Sequence, residues 1–254
     1  MNQHPFSIGP DKVVYFTKSN LVYDSGVYKL GQYPWETSGS QGETISLNST
    51  STISYFTWAS SGYNNYYPWS TTYLGPDIQN GSWTTDSDNW DWAVNNDVYD
   101  YNGVLTNNLR VLTSHEFDYV ICQRGPSNEL WDMATVNGNY GLILFSDDYI
   151  HPDTCVERGE DQIYSLQEWN DMEEAGAVFF YLCGYGRRTT NTNKITFEDI
   201  GTSGYYLTSS TSEGIPQVDC FCIWDDIDFS CYNCGVNGMN DSMTGYSVRL
   251  VYEK

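Results

Sequence analysis

Four cysteines and three aspartates crowd into one short stretch of this sequence. Cys220-x-Cys222 and Cys231-x2-Cys234 place thiols at spacings that suit three fates. Thiolates paired this closely can close a tetrahedral zinc site, although structural zinc knuckles use C-x2-C on both sides and the first pair departs from that. They can also form disulfides or stay as free thiols. The chain has seven cysteines, so at least one is left over from any pairing. Asp225, Asp226 and Asp228 lie between the two pairs and could gather a hard cation with loop carbonyls. Nothing around them fixes a coordination geometry, and no metal or other cofactor is expected. His4, His115 and His151 fall in a tail, at a helix start and in a loop. They show no metal-ligand spacing, and no catalytic role is expected for them.

From Val218 to Tyr246 the composition changes abruptly. These 29 residues hold five Asp, four Cys, three Asn, three Gly, two Tyr and two Phe, with no Lys, Arg, Glu, Gln, Ala, Leu or Pro. Short polar side chains mixed with aromatics make a recognition surface when a rigid support holds them. Ring faces supply contact area at little entropic cost, while Ser, Asn, Gly and Asp adapt their hydrogen bonding. The candidate ligand-contacting set is Asp219, Cys220, Phe221, Cys222, Asp225, Asp226, Asp228, Phe229, Ser230, Cys231, Tyr232, Asn233, Cys234, Asn237, Asn240 and Tyr246. Phe221, Phe229, Tyr232 and Tyr246 are its expected anchors. For Phe221, Ile223 and Phe229, burial in a core is the competing expectation, because large apolar residues are usually inside.

The elements that must hold this segment are signalled along the rest of the chain. Val13-Val-Tyr-Phe16, Leu21-Val-Tyr23 and Val27-Tyr-Lys-Leu30, with Asp24-Ser-Gly26 between the last two, predict strands and a tight hairpin,. From about Glu36 to Asn108, Ser, Thr, Gly, Asn and Asp dominate without periodicity, which predicts long ordered loops pinned by Trp58, Trp69, Trp83, Trp90 and Trp92,. Thr113-Ser-His-Glu116 and Ser165-Leu-Gln-Glu168 are capping boxes, each followed by apolar residues at helical spacing, and predict two helices of about three turns,. Tyr140–Phe145 and Ala177–Leu182 read as buried strands, and Tyr246–Tyr252 as an alternating closing strand,. No repeat, linker or composition break appears, so residues 1–254 are expected to form one domain.

The 33 acidic residues against 11 basic ones give a net charge of −22, a surface that repels phosphate backbones. Nucleic acid and anionic membranes are therefore poor partners. No stretch approaches the ~20 apolar residues of a spanning helix. The first residues have neither a basic leader nor an apolar run, so the expectation is either no cleaved signal or a sequence that begins after one.

Nine fragments in one order add a family resemblance: Val14-Tyr-Phe-Thr-Lys-Ser-Asn-Leu21, Tyr55-Phe-Thr-Trp-Ala-Ser-Ser-Gly62, Asp91-Trp92, Arg110-Val-Leu-Thr-Ser-His-Glu-Phe117, Gly141-Leu-Ile-Leu144, Glu168-Trp169, Ala175-Gly-Ala-Val-Phe179, Gly204-Tyr-Tyr-Leu-Thr-Ser-Ser-Thr211 and Gly245-Tyr-Ser-Val-Arg-Leu-Val251. Their succession, over nearly the whole chain, resembles a family found in gut Bacteroidales and their phages. That family is similar to the formylglycine-generating-enzyme branch of the C-type-lectin fold, which includes the variable proteins of diversity-generating retroelements. The resemblance implies an α+β, C-type-lectin-like fold, with two helices flanking small antiparallel sheets and long ordered loops. It also implies a diversified ligand-binding surface near the C-terminus, displayed on a phage tail or at the bacterial cell surface. Such diversification randomises adenines, so an Asn codon reaches Tyr, Ser, Asp, Cys, Gly, Phe, Ile, Val or Thr but never Lys, Glu, Gln, Met or Trp. Of the 29 residues from Val218 to Tyr246, 26 fall in the reachable set, the exceptions being Trp224, Met239 and Met243.

The chain departs from the enzymatic branch. Its N-terminal Gly-Gly-x-Phe-x-Met-Gly-like stretch and its Gly-Asn-Val-Trp-Glu-Trp-like segment are missing, so no catalytic residue carries over and no enzyme activity is expected. Trp169-Asn170-Asp171 spells the calcium-ligand tripeptide of sugar-binding C-type lectins, but it lies inside a predicted helix and too early in the chain, as helix surface. The expected function is ligand or receptor binding without chemistry, toward a protein or a neutral glycan. The rival expectation is a structural surface protein of the same fold without diversification.

Overall fold

The computed structural model describes residues 3–46, 52–57, 91–125, 130–159, 161–188, 194–211, 218–224, 229–233 and 244–254. Among them the chain forms β1 (Phe6–Gly9), β2 (Lys12–Asp24), β3 (Val27–Leu30), β4 (Thr44–Ser46), β5 (Thr52–Ile53), β6 (Phe56–Thr57), β7 (Val98–Tyr99), β8 (Leu105–Thr106) and β9 (Leu109–Val111). Helix α1 (Ser114–Asp118) runs into a π-helical turn at Tyr119–Gln123, and β10 (Trp131–Val136), β11 (Asn139–Phe145) and β12 (Gln162–Tyr164) follow. After α2 (Leu166–Glu174) come β13 (Ala177–Tyr181), β14 (Cys183–Arg188), β15 (Lys194–Ile200), β16 (Ser203–Thr211), β17 (Val218–Trp224), β18 (Phe229–Asn233), β19 (Thr244–Tyr246) and β20 (Arg249–Tyr252). They build three sheets, in the orders β8-β7-β3-β2-β20-β9, β12-β10-β11-β13 and β18-β17-β16-β14-β15-β4, with β1 and β5 added on β2 and β19 joining β14 to β6.

This arrangement corrects the α+β, C-type-lectin-like expectation of two helices flanking small sheets: the described chain is mostly β, with several sheets and two short helices. Both capping boxes form, with Thr113 and Ser165 each accepting from the N3 backbone. α1 nevertheless has 5 residues and α2 has 9, so neither reaches the expected three turns. The reason is compositional. Tyr, Val, Phe, Ile and Thr fill pleated, half-buried surfaces better than helix faces, and short strands occupy parts of 36–108 that read as loops. Trp92 is buried as expected of a pinning residue, whereas Trp58, Trp69, Trp83 and Trp90 lie outside the described residues.

The principal core draws on all three sheets and both turns of the first helical segment: Phe16, Val251, Leu142, Phe180, Tyr206, Phe221 and Phe117 meet there. A second core gathers Tyr28, Phe56, Trp92, Leu207, Tyr246 and Leu250, and a third packs α2 through Trp169 and Met172 onto Ile143 and Phe179. The first hairpin forms as the sequence indicates: Asp24 pairs with Val27 across Ser25 and Gly26, whose φ values of 52° and 96° are those of a two-residue primed turn,.

The closing strand is not continuous. Its alternation is lost because the chain leaves one sheet for another: β19 pairs with β14 and β6, then Ser247 donates to Tyr205 O, Leu21 donates to Val248 O, and β20 pairs with β2 and β9. Opposite this crossover β2 shifts register between Phe16 and Asn20, which leaves ladder carbonyls without strand partners. Arg249 fills the gap. Fully buried, it donates to Thr17 O, Lys18 O and Asn20 Oδ1, reaches Phe179 O in the neighbouring sheet at 2.7 Å, and lies 4.9 Å from the Phe180 ring. Burial lowers its pKa to about 10.

Candidate functional site

Among the described residues from Val218 to Tyr246, β17 and β18 form an antiparallel pair on the edge of the third sheet, and β19 pairs with β14 and β6. β17 pairs with β16 on one side and with β18 on the other. Residues directly opposite one another in such a pair share a face, so the register fixes what each side chain meets. Phe221 faces Tyr206 and Ile223 faces Gly204, on the side of the principal core. There Phe221 stacks on Phe117 at 4.9 Å and meets Phe180 edge-on at 5.8 Å. Cys220 faces Leu207 and Cys222 faces Tyr205, on the side of the second core.

Both faces of β17 are therefore covered. Cys220, Phe221 and Cys222 are 1% exposed or less. Tyr246 is buried as well, against Tyr205 at 5.8 Å. These four leave the ligand-contacting set as corrections. Their apolar or sulfur side chains point between sheets, which alternation in a two-sided strand requires and which composition alone does not reveal. For Phe221 and Ile223 the core expectation is the one observed.

Of the three fates open to the first cysteine pair, the structure has one. Cys220 and Cys222 are disulfide-bonded. Their sulfurs lie 3.5 Å apart, too far for a bond to each other, so each is joined to a different cysteine. Cys122, Cys155 and Cys183 are free.

The backbones of Asp219, Phe229, Ser230, Cys231, Tyr232 and Asn233 lie in β17 and β18. Asp225, Asp226, Asp228, Cys234, Asn237 and Asn240 lie outside the described residues. On the cysteine face of the sheet the structure adds tyrosines that sequence reasoning missed. Tyr185 and Tyr205 are half-buried and meet edge-on at 5.5 Å, and Tyr185 donates to Glu198 at 2.6 Å. Burial, then the Glu198 carboxylate, pushes the Tyr185 phenol upward, and burial does the same to Tyr205. The available signal was the pair of Gly-Tyr steps, Gly184-Tyr185 and Gly204-Tyr205. Gly184 has a φ of 63° and no room for a Cβ beside the Glu198 carbonyl, which sets Tyr185 next to Tyr205.

No group of three or more metal-ligating side chains occurs among the described residues. His4 bonds Asp148 and the Glu174 carbonyl, whereas His151 bonds Tyr149 and the Val156 carbonyl. Each imidazole belongs to a separate surface network. No helix among the described residues is long and apolar enough to cross a membrane. Compared with known proteins, the chain matches no family model, no curated protein and no solved structure.

Proposed function

We propose that this chain is a non-enzymatic binding protein of the retroelement-diversified kind, displayed on a phage tail or bacterial surface. It recognises its target through the residues joined to the β17–β18 stem. One observation carries the reading: within the stretch from Val218 to Tyr246, the described part of β17 is built into the core. Phe221 and Ile223 are core residues, and Cys220 and Cys222 are buried and cross-linked. The Asp-, Asn- and Gly-rich residues 225–228 and 234–243 connect to that support. A recognition surface needs such a support, because contact residues can vary only where a fixed frame supplies the stability.

Cys220 and Cys222 are buried and disulfide-bonded, though not to each other. Disulfides of this kind persist where the surroundings are oxidising, which supports display outside the cytoplasm. Five Asp and no cation in the segment, on a protein of charge −22, favour a neutral or basic target, a protein or a neutral glycan, since like charges across an interface cost several kcal/mol.

The test is a set of chimaeras in which only 225–228 and 235–243 are replaced, with every cysteine kept, screened against purified envelope proteins and neutral glycans. Specificity should change from chimaera to chimaera while the unfolding midpoint stays constant. Chimaeras that all keep the parent's target would refute the assignment. In the coding DNA, a near-copy of this stretch beside a reverse transcriptase, with mismatches confined to adenines, separates a diversified protein from a fixed structural one.

A further inference from the structure

On the first sheet, away from the β17–β18 stem, an open cleft of about 780 Å³ lies between β3, the turn at 93–97 and the β8–β9 connection. Its frame is built by one buried carboxylate. Asp91 accepts from Ala93 N and Val94 N through one oxygen and from Val111 N through the other, which ties the turn to β9. Asn95 Nδ2 donates to Asp91 O and Asn96 Nδ2 donates to Trp92 O, both at 2.8 Å. With their NH₂ groups occupied by backbone carbonyls, these side chains are held in fixed orientations.

Asn96, which lines the cleft, has a buried Oδ1 without a hydrogen-bond partner, and Trp92, which packs on Tyr28 at 5.8 Å, has an unpartnered buried Nε1. A buried polar atom left unsatisfied costs about 1–3 kcal/mol, so the fold gives up stability to keep this frame in place. Across the cleft stand Asn107 and Asn108, both exposed, with Asn108 at a φ of 59°. Tyr99 forms part of the wall, and Val94 and Leu105, 51% and 44% exposed, stand at the rim.

We propose that this cleft binds a neutral oligosaccharide. Amide side chains donate and accept, as hydroxyl groups do, and four of them line the cleft, of which Asn107 and Asn108 are exposed and within a ligand's reach. Tyr99 and the exposed apolar rim offer surfaces for the C–H faces of pyranose rings. Asp97 is the one formal charge among the described lining residues, so nothing selects a cation or an anion. The volume is that of a small-ligand cleft, which accommodates a few sugar units and not a protein surface.

The experiment titrates the full chain with maltotriose, cellotriose, chitotriose, mannotriose and lactose by calorimetry, and repeats each titration with Asn107→Ala, Leu105→Arg and Val94→Arg. All three positions are exposed, and equal unfolding midpoints show that the variants fold. At least one probe should bind, with affinity reduced by about tenfold or more in each variant, the equivalent of one lost hydrogen bond. Exchanging 225–228 and 235–243 should leave this binding unchanged. If no probe binds the parent chain, or the variants bind as well as it does, the cleft is not a sugar site. If the arginine variants instead abolish docking of a protein target, it is a protein interface and the proposal falls.

Discussion

The β17–β18 stem and the frame of the cleft beside Asp91 are both held rigidly, and for opposite reasons. The stem is held from a distance. Phe221 is clamped by Phe117 and Phe180, which are remote in sequence, and the cysteine face is cross-linked. The collar of the cleft is held locally, by side-chain-to-backbone bonds among Asp91, Ala93, Val94, Asn95 and Asn96. A collar whose side chains satisfy its own backbone cannot be rewritten without unfolding it. A stem that takes its stability from the core does not depend in the same way on bonds among its own side chains. The two proposals, a changeable surface at the stem and a fixed ligand at the cleft, rest on that difference.

Truncating the stem's anchor gives the largest effect. Phe221→Ala should cost about 3–5 kcal/mol in chemical denaturation, as for other buried aromatics, while complete replacement of 225–228 should leave the midpoint nearly unchanged. Equal losses from the two would erase the distinction between frame and surface.

The collar is tested through pH. Burial raises the Asp91 pKa to about 6 despite three backbone donors, above the ~3.9 of an unfolded aspartate. The native state therefore holds this proton more tightly than the unfolded chain. The contribution is fully present below pH ~4 and is lost as pH rises through about 6, an amount on the order of 2–3 kcal/mol. The stability difference between the parent and Asp91→Asn should thus shift in the variant's favour from pH ~4 to ~6. A flat difference would mean that Asp91 is already ionised throughout, and the collar no more strained than the stem.

Loss of a helix cap is the smallest change. Thr113→Ala removes the acceptor for Glu116 N and should cost about 1 kcal/mol. Because α1 carries Phe117 against Phe221, the same variant should speed exchange of β17 amides more than those of the 93–97 turn. Ser165→Ala, in a helix that packs on another core, should cost about the same and leave β17 exchange alone. Identical exchange patterns in the two variants would mean that α1 does not steady the stem.

The local features of this protein were legible in its sequence. Both capping boxes, the Asp24-Ser-Gly26 hairpin and the helical spacing of apolar residues that follows each box depend on residues a few positions apart, and short-range geometry decides them. Burial within the segment from Val218 to Tyr246 was not legible. Its composition marks it as distinct, but whether Phe221, Cys220 and Tyr246 face solvent depends on Phe117, Leu207 and Tyr205, brought there by pairing across the chain. The fold class turned on the same cause. Helix caps are local and visible, whereas the alignment of strands into three sheets, and the switch of sheet at Ser247 and Val248, arise from long-range hydrogen bonds that no window of sequence contains. The burial of the unpartnered Asn96 oxygen is likewise a tertiary fact: its amide's bond to Trp92 O is local, but the enclosure of the oxygen is not.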